Sequence, residues 1–320
     1  MKKCIAIKNF FSADVPLSTL GYFRMAVGGF ALVQLAFLLP DWSWLYGQKG
    51  LVPWEVTEAL STTYTPLLSH IYFLLEPLGV SIDFVVYGIA VLFLLSLAGL
   101  TVGYKTRLMA IMAWLLHLII STTGQFTAYG VETFTRIALF YCMVLPVGQS
   151  LSVDALLKTC RPLPPYLVTL SVRLIQFHLC IMYVACGMEK AIGMQWWNGD
   201  AIWMALQQDQ FKTVDMDWMA TFPFVPKLLC WTTLLVETFY PVGIFWQRTK
   251  KLWLAAIIGM HLFIGIFLGL YLFATLMILL NLTAFGPHCF AGPAILRKRI
   301  LFSSGIRRAV FTRLYRQDVV

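Results

Sequence analysis

The sequence predicts an all-α protein: a polytopic membrane helix bundle of about eight spans. Apolar residues make up 59% of the 320 residues, charged residues make up only 12%, and the mean hydropathy is +0.77. A soluble domain usually carries about 25% charged residues. Apolar segments near the roughly 20 residues needed to cross a bilayer recur along the chain. We therefore predict one transmembrane domain, 1–287, followed by a basic tail, 288–320, and no soluble domain of useful size.

The predicted spans are separated by loops whose charge alternates along the chain. If the N-terminus is inside, the inner loops carry Lys and Arg, among them Lys105, Lys158 and Arg248, and the outer loops carry almost none. The positive-inside rule is then satisfied at each turn, and both termini are cytoplasmic. The predicted location is the cell (inner) membrane. The eight predicted spans are 19–40, 81–103, 106–123, 131–149, 165–188, 224–246, 252–269 and 271–287.

The last two spans are the hardest to separate. Residues 252–287 carry no charge, are too long for one helix and barely suffice for two. A single helix would place the basic tail outside, so we expect two short spans that meet near Gly269. Gly265 and Gly269 have the spacing of a small-residue packing face. The tail predicts contact with anionic lipid rather than nucleic-acid binding.

Two outer segments, 41–79 and 193–223, are not spans. The second begins GMQWWNGDAIWMALQQDQF, which predicts a short amphipathic helix that contains Trp196 and Trp197. Both segments lie on the same side of the membrane in this topology. Two interpretations stay open: they roof an outward-facing cavity, or they form an aromatic belt at the headgroups.

Charged residues within apolar segments are functional candidates because a charge in hydrocarbon is costly. Arg24 and Arg173 lie near the inner ends of their spans, where a long side chain can reach the headgroups, so a structural role is expected. Arg136 lies in the outer part of span four, with Glu132 one turn earlier. That pair either neutralises itself or contributes Arg136 to a binding site.

The fifth span carries the densest polar pattern. Helical steps back from Lys190 place Tyr183 and Gln176 on the same face, and His178 and Glu189 on a neighbouring face. An interfacial anchor does not need polar residues beneath it, whereas a partly buried lysine can act as a base. Two roles for Lys190 stay open. It anchors the helix at the headgroups, or it is a catalytic base whose basicity Tyr183 and Glu189 tune.

Glu237 and His261 lie near the middles of spans six and seven, too deep to reach the headgroups. We expect them to face each other or a water-filled cavity. A hydrogen bond that sets the helix register and a proton relay are equally compatible with the pattern. No metal site is predicted, since the cysteines form no CxxC pair.

Several motifs, in order along almost the whole chain, resemble the HTTM (horizontally transferred transmembrane) domain family. This family comprises the membrane domain of vitamin K-dependent gamma-carboxylase and its bacterial relatives, including the sporulation-delaying protein B group. The first similar motif contains Arg24, and the most specific one is a Gly-x-x-Lys that ends at Lys190 and is followed by Trp and Gly. The similar stretches are STLGYFRMAVGGFAL, YGQKGLVP, LPVGQSLSVDAL, YVACGMEKAIGMQWWNGDAI, VETFYP and GMHLFIG.

The resemblance implies that Lys190 is the base that deprotonates a reduced quinone of the vitamin K or menaquinol type. In the carboxylase, oxygen then converts the quinol to a strong base, which removes a proton from a substrate Glu before CO2 adds. The implied partners are the lipid bilayer and a secreted peptide or protein. The catalytic candidates are Lys190, Glu189 and Tyr183. The candidates for binding the substrate or cofactor are Arg136, His178, Trp196, Trp197, Glu237 and His261.

The chain departs from the carboxylase pattern in two places, which argues against protein-glutamate carboxylation. TTGQFTAYG, with Gln125, stands where the carboxylase has a histidine needed for CO2 addition, and only the tail follows the last span in place of a lumenal domain. The main hypothesis is a membrane enzyme acting on a quinol or another lipophilic substrate. The first alternative is a non-enzymatic quinone- or lipid-binding subunit that helps a secreted peptide or protein mature. The second is a transporter, which no internal repeat in the sequence favours.

Overall fold

The computed structural model describes residues 15–160, 163–211 and 213–290, and every regular element in these ranges is a helix. The all-helical fold class is thus confirmed. The N-terminal residues and the tail from residue 291 onward lie outside the described ranges. The longer helices are α1 Ser18–Leu38, α2 Ile82–Val102, α3 Thr106–Thr123, α4 Gly130–Val144, α5 Pro165–Ile192, α6 Phe224–Thr238, α7 Tyr240–Phe245, α8 Lys250–Leu268 and α9 Tyr271–Phe290.

Five helical segments in the described ranges are long and apolar enough to cross a membrane: Ser18–Tyr46, Ile82–Val102, Thr106–Thr123, Pro165–Ile192 and Lys250–Leu268. The other three predicted spans are also helical but shorter. They correspond to α4 with 15 residues, the pair α6 and α7, and the apolar part of α9. These lengths fit a membrane protein. The number of spans and the side on which each terminus lies stay predictions.

The sixth predicted span, 224–246, is not one continuous helix. It ends at Thr238 and resumes at Tyr240. Pro241 lies in the first turn of α7 and has no N–H with which to continue the helical hydrogen bonds. At this break, Trp253 Nε1 from α8 donates to the Val236 carbonyl oxygen at 3.0 Å. Glu237 is thus the second-last residue before the break.

Helices α8 and α9 meet at Gly269, as expected. Gly269 has a φ of +68°, a conformation that glycine adopts at little cost. A Cβ added to Gly265 would lie 3.0 Å from the Ala274 side chain, so the two helices approach closely at that glycine. Of the two glycines in the expected small-residue packing face, Gly265 packs against α9, whereas Gly269 ends α8 and an added Cβ there would lie 2.8 Å from Thr213 Cγ2.

The two segments that were predicted to lie outside the membrane fold as short helices. In 41–79 these are Trp42–Tyr46, Trp54–Leu60 and Leu68–Leu75, and in 193–223 the main ones are Met194–Asn198 and Asp200–Gln207. Trp42 Nε1 donates to the Val86 carbonyl oxygen at 2.9 Å, and the Leu68 N–H donates to Thr123 Oγ1 at 3.0 Å. The first segment therefore closes the end where α2 begins and α3 ends.

Arg24 was expected to extend to the headgroups, but its side chain is fully buried. Its guanidinium donates to the carbonyl oxygen of Leu100 at 2.9 Å and to that of Leu151. These carbonyls belong to the end of α2 and to the loop before α5. Since this charged side chain, which belongs to α1, binds backbone groups of two other chain segments, its role is structural. The expectation that it reaches the headgroups was wrong.

Arg173 is also buried rather than extended toward the headgroups. Its Nη1 donates to Gln176 Oε1 at 2.6 Å, and Gln176 Nε2 in turn donates to the Ala284 carbonyl oxygen of α9 at 2.6 Å. Gln176 was expected to extend the polar face of α5. It instead links α5 to α9.

The loop containing Asp154 holds the start of α3. The Asp154 carboxylate accepts hydrogen bonds from the Lys105 N–H at 2.8 Å and from both the N–H and the Oγ1 of Thr106 at 2.7 Å. The two N–H groups are backbone donors that a helix leaves unpaired at its N-terminus. The LPVGQSLSVDAL motif thus has a structural explanation at this end of the bundle.

Gly103 should be intolerant of a side chain because it has a φ of +76° and a Cβ there would overlap Arg24 Nη1. We expect Gly103→Ala to lower the free energy of unfolding by about 1 to 3 kcal/mol. Gly88→Ala in the same helix is the control: nothing lies within 4 Å of its added Cβ, and alanine is the better helix former. The measurement is thermal unfolding in detergent followed by tryptophan fluorescence. Equal midpoints for the two variants would contradict the packing at Gly103.

Stability should depend on pH through Asp154. Partial burial acts to raise its pKa, but the hydrogen bonds from Thr106 and Lys105, with Arg24 nearby, outweigh burial, so the pKa lies below its usual value. A depressed folded-state pKa stabilises above the unfolded value of about 3.9, and this contribution is lost as pH falls through the folded-state pKa. Asp154→Asn should therefore unfold at a lower temperature than wild type at pH 7.

The difference between Asp154→Asn and wild type should shrink as the pH falls below about 4. Asp83→Asn, at an exposed position in the first turn of α2, is the matched control and should track wild type throughout. A stability difference that stays constant from pH 7 to pH 3 would contradict the assignment.

Candidate functional site

The end of α5 carries an ion pair with the end of α6. Lys190 Nζ donates to Glu237 Oε2 at 2.7 Å. The Glu237 side chain is only 7% exposed, whereas that of Lys190 is 25% exposed. A carboxylate that is buried in an apolar bundle needs a charged or hydrogen-bonding partner, and Lys190 supplies both. The lysine is the accessible member of this pair.

A close contact between the backbones of α5 and α6 makes the pair possible. Gly187, one turn before Lys190, packs against Thr238, and a Cβ there would lie 2.7 Å from the Thr238 backbone nitrogen. Thr238 follows Glu237 and ends α6. The glycine of the Gly-x-x-Lys motif therefore allows the approach that brings the lysine to its acid.

A chain of hydrogen bonds lies on the same face of α5, deeper in the bundle. Tyr183 Oη and His261 Nε2 are 2.8 Å apart, and Asn281 Nδ2 donates to Tyr183 Oη at 2.7 Å. Tyr240 Oη donates to Asn281 Oδ1 at 2.5 Å. All four side chains are buried, and together they connect α5, α7, α8 and α9. We call these four residues the buried polar chain.

Glu237 and His261 were expected to face each other or a water-filled cavity, and they do not bond to each other. Each is instead bonded to a residue of α5, Glu237 to Lys190 and His261 to Tyr183. Glu189 is exposed and, within the ranges that the structure describes, makes no hydrogen bond or ion pair with Lys190. The acid next to Lys190 in space is Glu237, because neighbouring residues of a helix point about 100° apart. A role for Glu189 in tuning Lys190 stays a prediction.

The two predicted tryptophans lie beside the ion pair. Lys190 Nζ is 5.5 Å from the centre of the Trp196 ring, within the range of a cation–π interaction. Trp197 Nε1 donates to the Ala191 carbonyl oxygen at 2.8 Å, and the Trp197 carbonyl oxygen accepts from Trp231 Nε1 at 2.9 Å. These bonds hold the helix Met194–Asn198 against the end of α5 and against α6.

His178 lies apart from Lys190, although it is on the same helix. Its Nδ1 is 2.5 Å from Tyr141 Oη of α4. The two side chains line a cavity of about 20 Å³, which has room for a water molecule. The rest of the lining is mainly apolar and comes from α1, α4, α5 and α9. Neither Lys190 nor Glu237 contributes to it, and an outward-facing cavity at the ion pair stays a prediction.

Arg136 is not brought to the ion pair either. It makes no salt bridge with Glu132 within 4 Å in the ranges covered by the structure. Glu132 instead accepts from the Tyr129 N–H at 2.8 Å, which caps α4, and from Gln34 Nε2 at 3.4 Å. The expected self-neutralising pair is thus replaced by a cap. Arg136 is half-buried on α4.

Two members of the buried polar chain were not predicted. Asn281 lies within an apolar run, LMILLNLTAF, and Tyr240 lies within VETFYP. A carboxamide amid hydrocarbon must find partners, and this was a usable signal for Asn281. Tyr240 gave no signal, because tyrosines are common near membrane interfaces and only the helix break turns this one inward.

Comparison with protein-family models, with curated proteins and with solved structures finds no match for this chain. The arrangement offers a proton donor and acceptor in Lys190 and Glu237, an aromatic surface in Trp196, and neutral hydrogen-bonding groups beneath them. In the described part of the chain, no group of three or more His, Cys, Asp or Glu side chains is placed to hold a metal ion. This set suits proton transfer on a small polar group of a ligand.

Gly187→Ala should separate α5 from α6. The added Cβ would contact the backbone of Thr238 at 2.7 to 3.0 Å, and overpacking of this kind costs about 1 to 3 kcal/mol. We expect a lower unfolding temperature and faster labelling of Lys190 by an amine-reactive reagent, read by mass spectrometry. Gly259→Ala in α8, where nothing lies within 4 Å of the new Cβ, should change neither quantity. Unchanged labelling of Gly187→Ala would show that the glycine does not set the ion pair.

Proposed function

We propose that this protein is a membrane enzyme that removes a proton from the O–H group of a lipophilic substrate, with the Lys190–Glu237 pair as the base. The observation that carries the proposal is the pair itself. A buried carboxylate is bonded at 2.7 Å to a lysine that remains accessible. The resemblance of the surrounding motif to the HTTM family supports a reduced quinone as the substrate.

The pair has the proton balance that a base needs. In the resting ion pair, Lys190 is an ammonium and Glu237 a carboxylate. Transfer of one proton from Nζ to Oε2 leaves a neutral amine, and this transfer is easier in an apolar site than in water because it removes two charges. The amine then takes the substrate proton. At the end, Lys190 is an ammonium, Glu237 is protonated, and the substrate is an anion.

The surroundings of Lys190 favour a lipophilic substrate. Large apolar side chains near the lysine are exposed, including Met188, Ile192 and Met194, and Ile192 is 85% exposed. In a membrane bundle, exposed apolar side chains contact lipid. A molecule dissolved in the bilayer therefore has a short path to the lysine. The ring of Trp196, 5.5 Å from Nζ, offers a flat surface for an aromatic head group.

The topology that completes this proposal has about eight spans in the inner membrane, with both termini cytoplasmic. In this topology, the broken pair α6 and α7, the short helix α4 and the apolar part of α9, Tyr271–Pro287, are the three spans beyond the five long helices. Lys190 then lies at the outer face, where a secreted peptide or protein would be the partner. The positive charges of the loops support this orientation.

A non-enzymatic quinone- or lipid-binding subunit is the second candidate. One observation favours it: the ion pair already satisfies both charges without a ligand. In that case the pair only anchors α5 to α6. Replacing lysine by arginine, which keeps the charge but does not lose its proton, would then be tolerated, whereas a base would be lost.

The test is oxygen uptake by the protein in nanodiscs supplied with a prenylated 1,4-naphthoquinol, since a quinol anion reacts with oxygen faster than the neutral quinol. We expect Lys190→Met and Lys190→Arg each to lower the protein-dependent rate by about a hundredfold or more, the usual worth of a general base. Glu237→Gln should also lower the rate of oxygen uptake, because Lys190 then has no carboxylate to take its proton.

Lys227→Met is the matched control for this test. Lys227 Nζ lies 5.1 Å from the centre of the Trp231 ring, so this variant removes a lysine from another tryptophan in the same region. Its rate should stay within about twofold of wild type, since no role in proton transfer is assigned to it. A wild-type rate in either Lys190→Arg or Lys190→Met rejects Lys190 as the base. The second candidate instead predicts no protein-dependent uptake, and quinone binding that Lys190→Arg retains. No uptake by the wild-type protein rejects the quinol.

A further inference from the structure

The orientation of the Asn281 amide is fixed by its neighbours. Asn281 Nδ2 lies 2.8 Å from the Met277 carbonyl oxygen, which can only accept a hydrogen bond. The nitrogen therefore faces Met277 and Tyr183, and Oδ1 faces Tyr240. Both amide hydrogens are used, one on the Met277 carbonyl and one on Tyr183 Oη.

This orientation fixes the tautomer of His261. Tyr183 Oη accepts from Asn281, so the hydroxyl hydrogen of Tyr183 is free to donate, and its partner is His261 Nε2 at 2.8 Å. Nε2 then accepts. A neutral imidazole with an accepting Nε2 carries its hydrogen on Nδ1. The imidazole is neutral here because a charge among apolar helices is costly.

His261 Nδ1–H is a donor without a visible partner. The residue is 2% exposed, and Nδ1 has no hydrogen-bond partner within the described parts of the chain. Leaving a buried donor unpaired is unfavourable. Arg24 Nε and His117 Nδ1 are also without a partner in the described residues, and His261 Nδ1 differs from them in its place at the end of the buried polar chain. The hydrogen bonds of the buried polar chain all run in one direction, from Tyr240 through Asn281 and Tyr183 to His261. Hydrogen bonds aligned in this way polarise one another, which makes His261 Nδ1–H, at the end of the chain, a stronger donor.

We propose that His261 Nδ1–H binds the substrate oxygen from which the Lys190–Glu237 pair takes the proton; this inference rests on the proposed function. The donor is held by Tyr183, which shares a face of α5 with Lys190. A neutral ligand would offer a carbonyl or hydroxyl oxygen, and the oxyanion formed by proton loss would bind more strongly. Since Nδ1 is shielded in this structure, the ligand displaces neighbouring side chains to reach it.

The first test separates the two ring nitrogens of His261. Asparagine places an amide N–H near the position of Nδ1, whereas glutamine places one near Nε2. The probe is a prenylated 1,4-naphthoquinone, the oxidised form, whose carbonyl oxygen accepts a hydrogen bond without any proton transfer. Its affinity is read from quenching of tryptophan fluorescence, and its carbonyl stretch from isotope-edited infrared spectra of the protein in nanodiscs.

We expect His261→Asn to retain most of the affinity and of the lowered carbonyl frequency, and His261→Gln to lose about tenfold in affinity, the usual effect of one hydrogen bond. The opposite order, or equal behaviour of the two variants, overturns the proposal. Lys190→Met should keep the lowered carbonyl frequency. Failure of the base in the oxygen-uptake test is therefore distinguishable from failure of the His261 donor.

The second test uses the wild-type chain and does not depend on whether a variant folds. The protein has five histidines, so ¹⁵N-histidine labelling gives few resonances. We expect one histidine to be neutral with its hydrogen on Nδ1, and this resonance should shift when the naphthoquinone is added. Tyr183→Phe, which removes the hydroxyl that fixes the tautomer, should populate both tautomers. A hydrogen on Nε2, or a resonance that does not respond to the naphthoquinone, means that Nδ1 is not the donor and overturns the proposal.

Discussion

The contact between Lys190 and Glu237 constrains the architecture around it. A carboxylate within an apolar bundle must be paired, and its partner must come from another helix. Gly187 allows the backbones of α5 and α6 to approach, and the break after Thr238 gives Glu237 a position at a helix end. The helix Met194–Asn198 then lies beside the pair. Close packing at Gly187, the end of α6 and the helix Met194–Asn198 thus meet at this one contact.

Polar side chains elsewhere in the bundle connect helices that apolar packing alone would leave free to slide. Arg24 binds backbone carbonyls at the end of α2, Asp154 holds the start of α3, and Gln176 links α5 to α9. Hydrocarbon drives helices together only weakly, so such bonds and close packing fix their register. His261 Nδ1 has no hydrogen-bond partner in the described residues, a state that it shares with Arg24 Nε and His117 Nδ1; it differs from them in lying at the end of the buried polar chain.

The fold class could be predicted because segment length and apolarity depend only on local sequence. Lys190, Tyr183, Glu237 and His261 could each be identified, since a polar group among apolar residues is visible in the sequence. Their pairing could not, because 47 residues separate Lys190 from Glu237 and 78 separate Tyr183 from His261. Glu189 was chosen because it is adjacent in sequence. The break after Thr238 was missed because Pro241 in an apolar run is compatible with a kinked but continuous span.

The helix break divides the site between two helices. Glu237 belongs to the end of α6, whereas Tyr240, three residues later, begins α7 and is tied to Asn281. Pro241 has no N–H, so the helical hydrogen bonding between the two helices is incomplete. Glu237 is bonded to α5, whereas Tyr240 is bonded to α9. The interruption thus gives the acid of the ion pair and the first tyrosine of the buried polar chain separate anchors, although they are three residues apart in sequence.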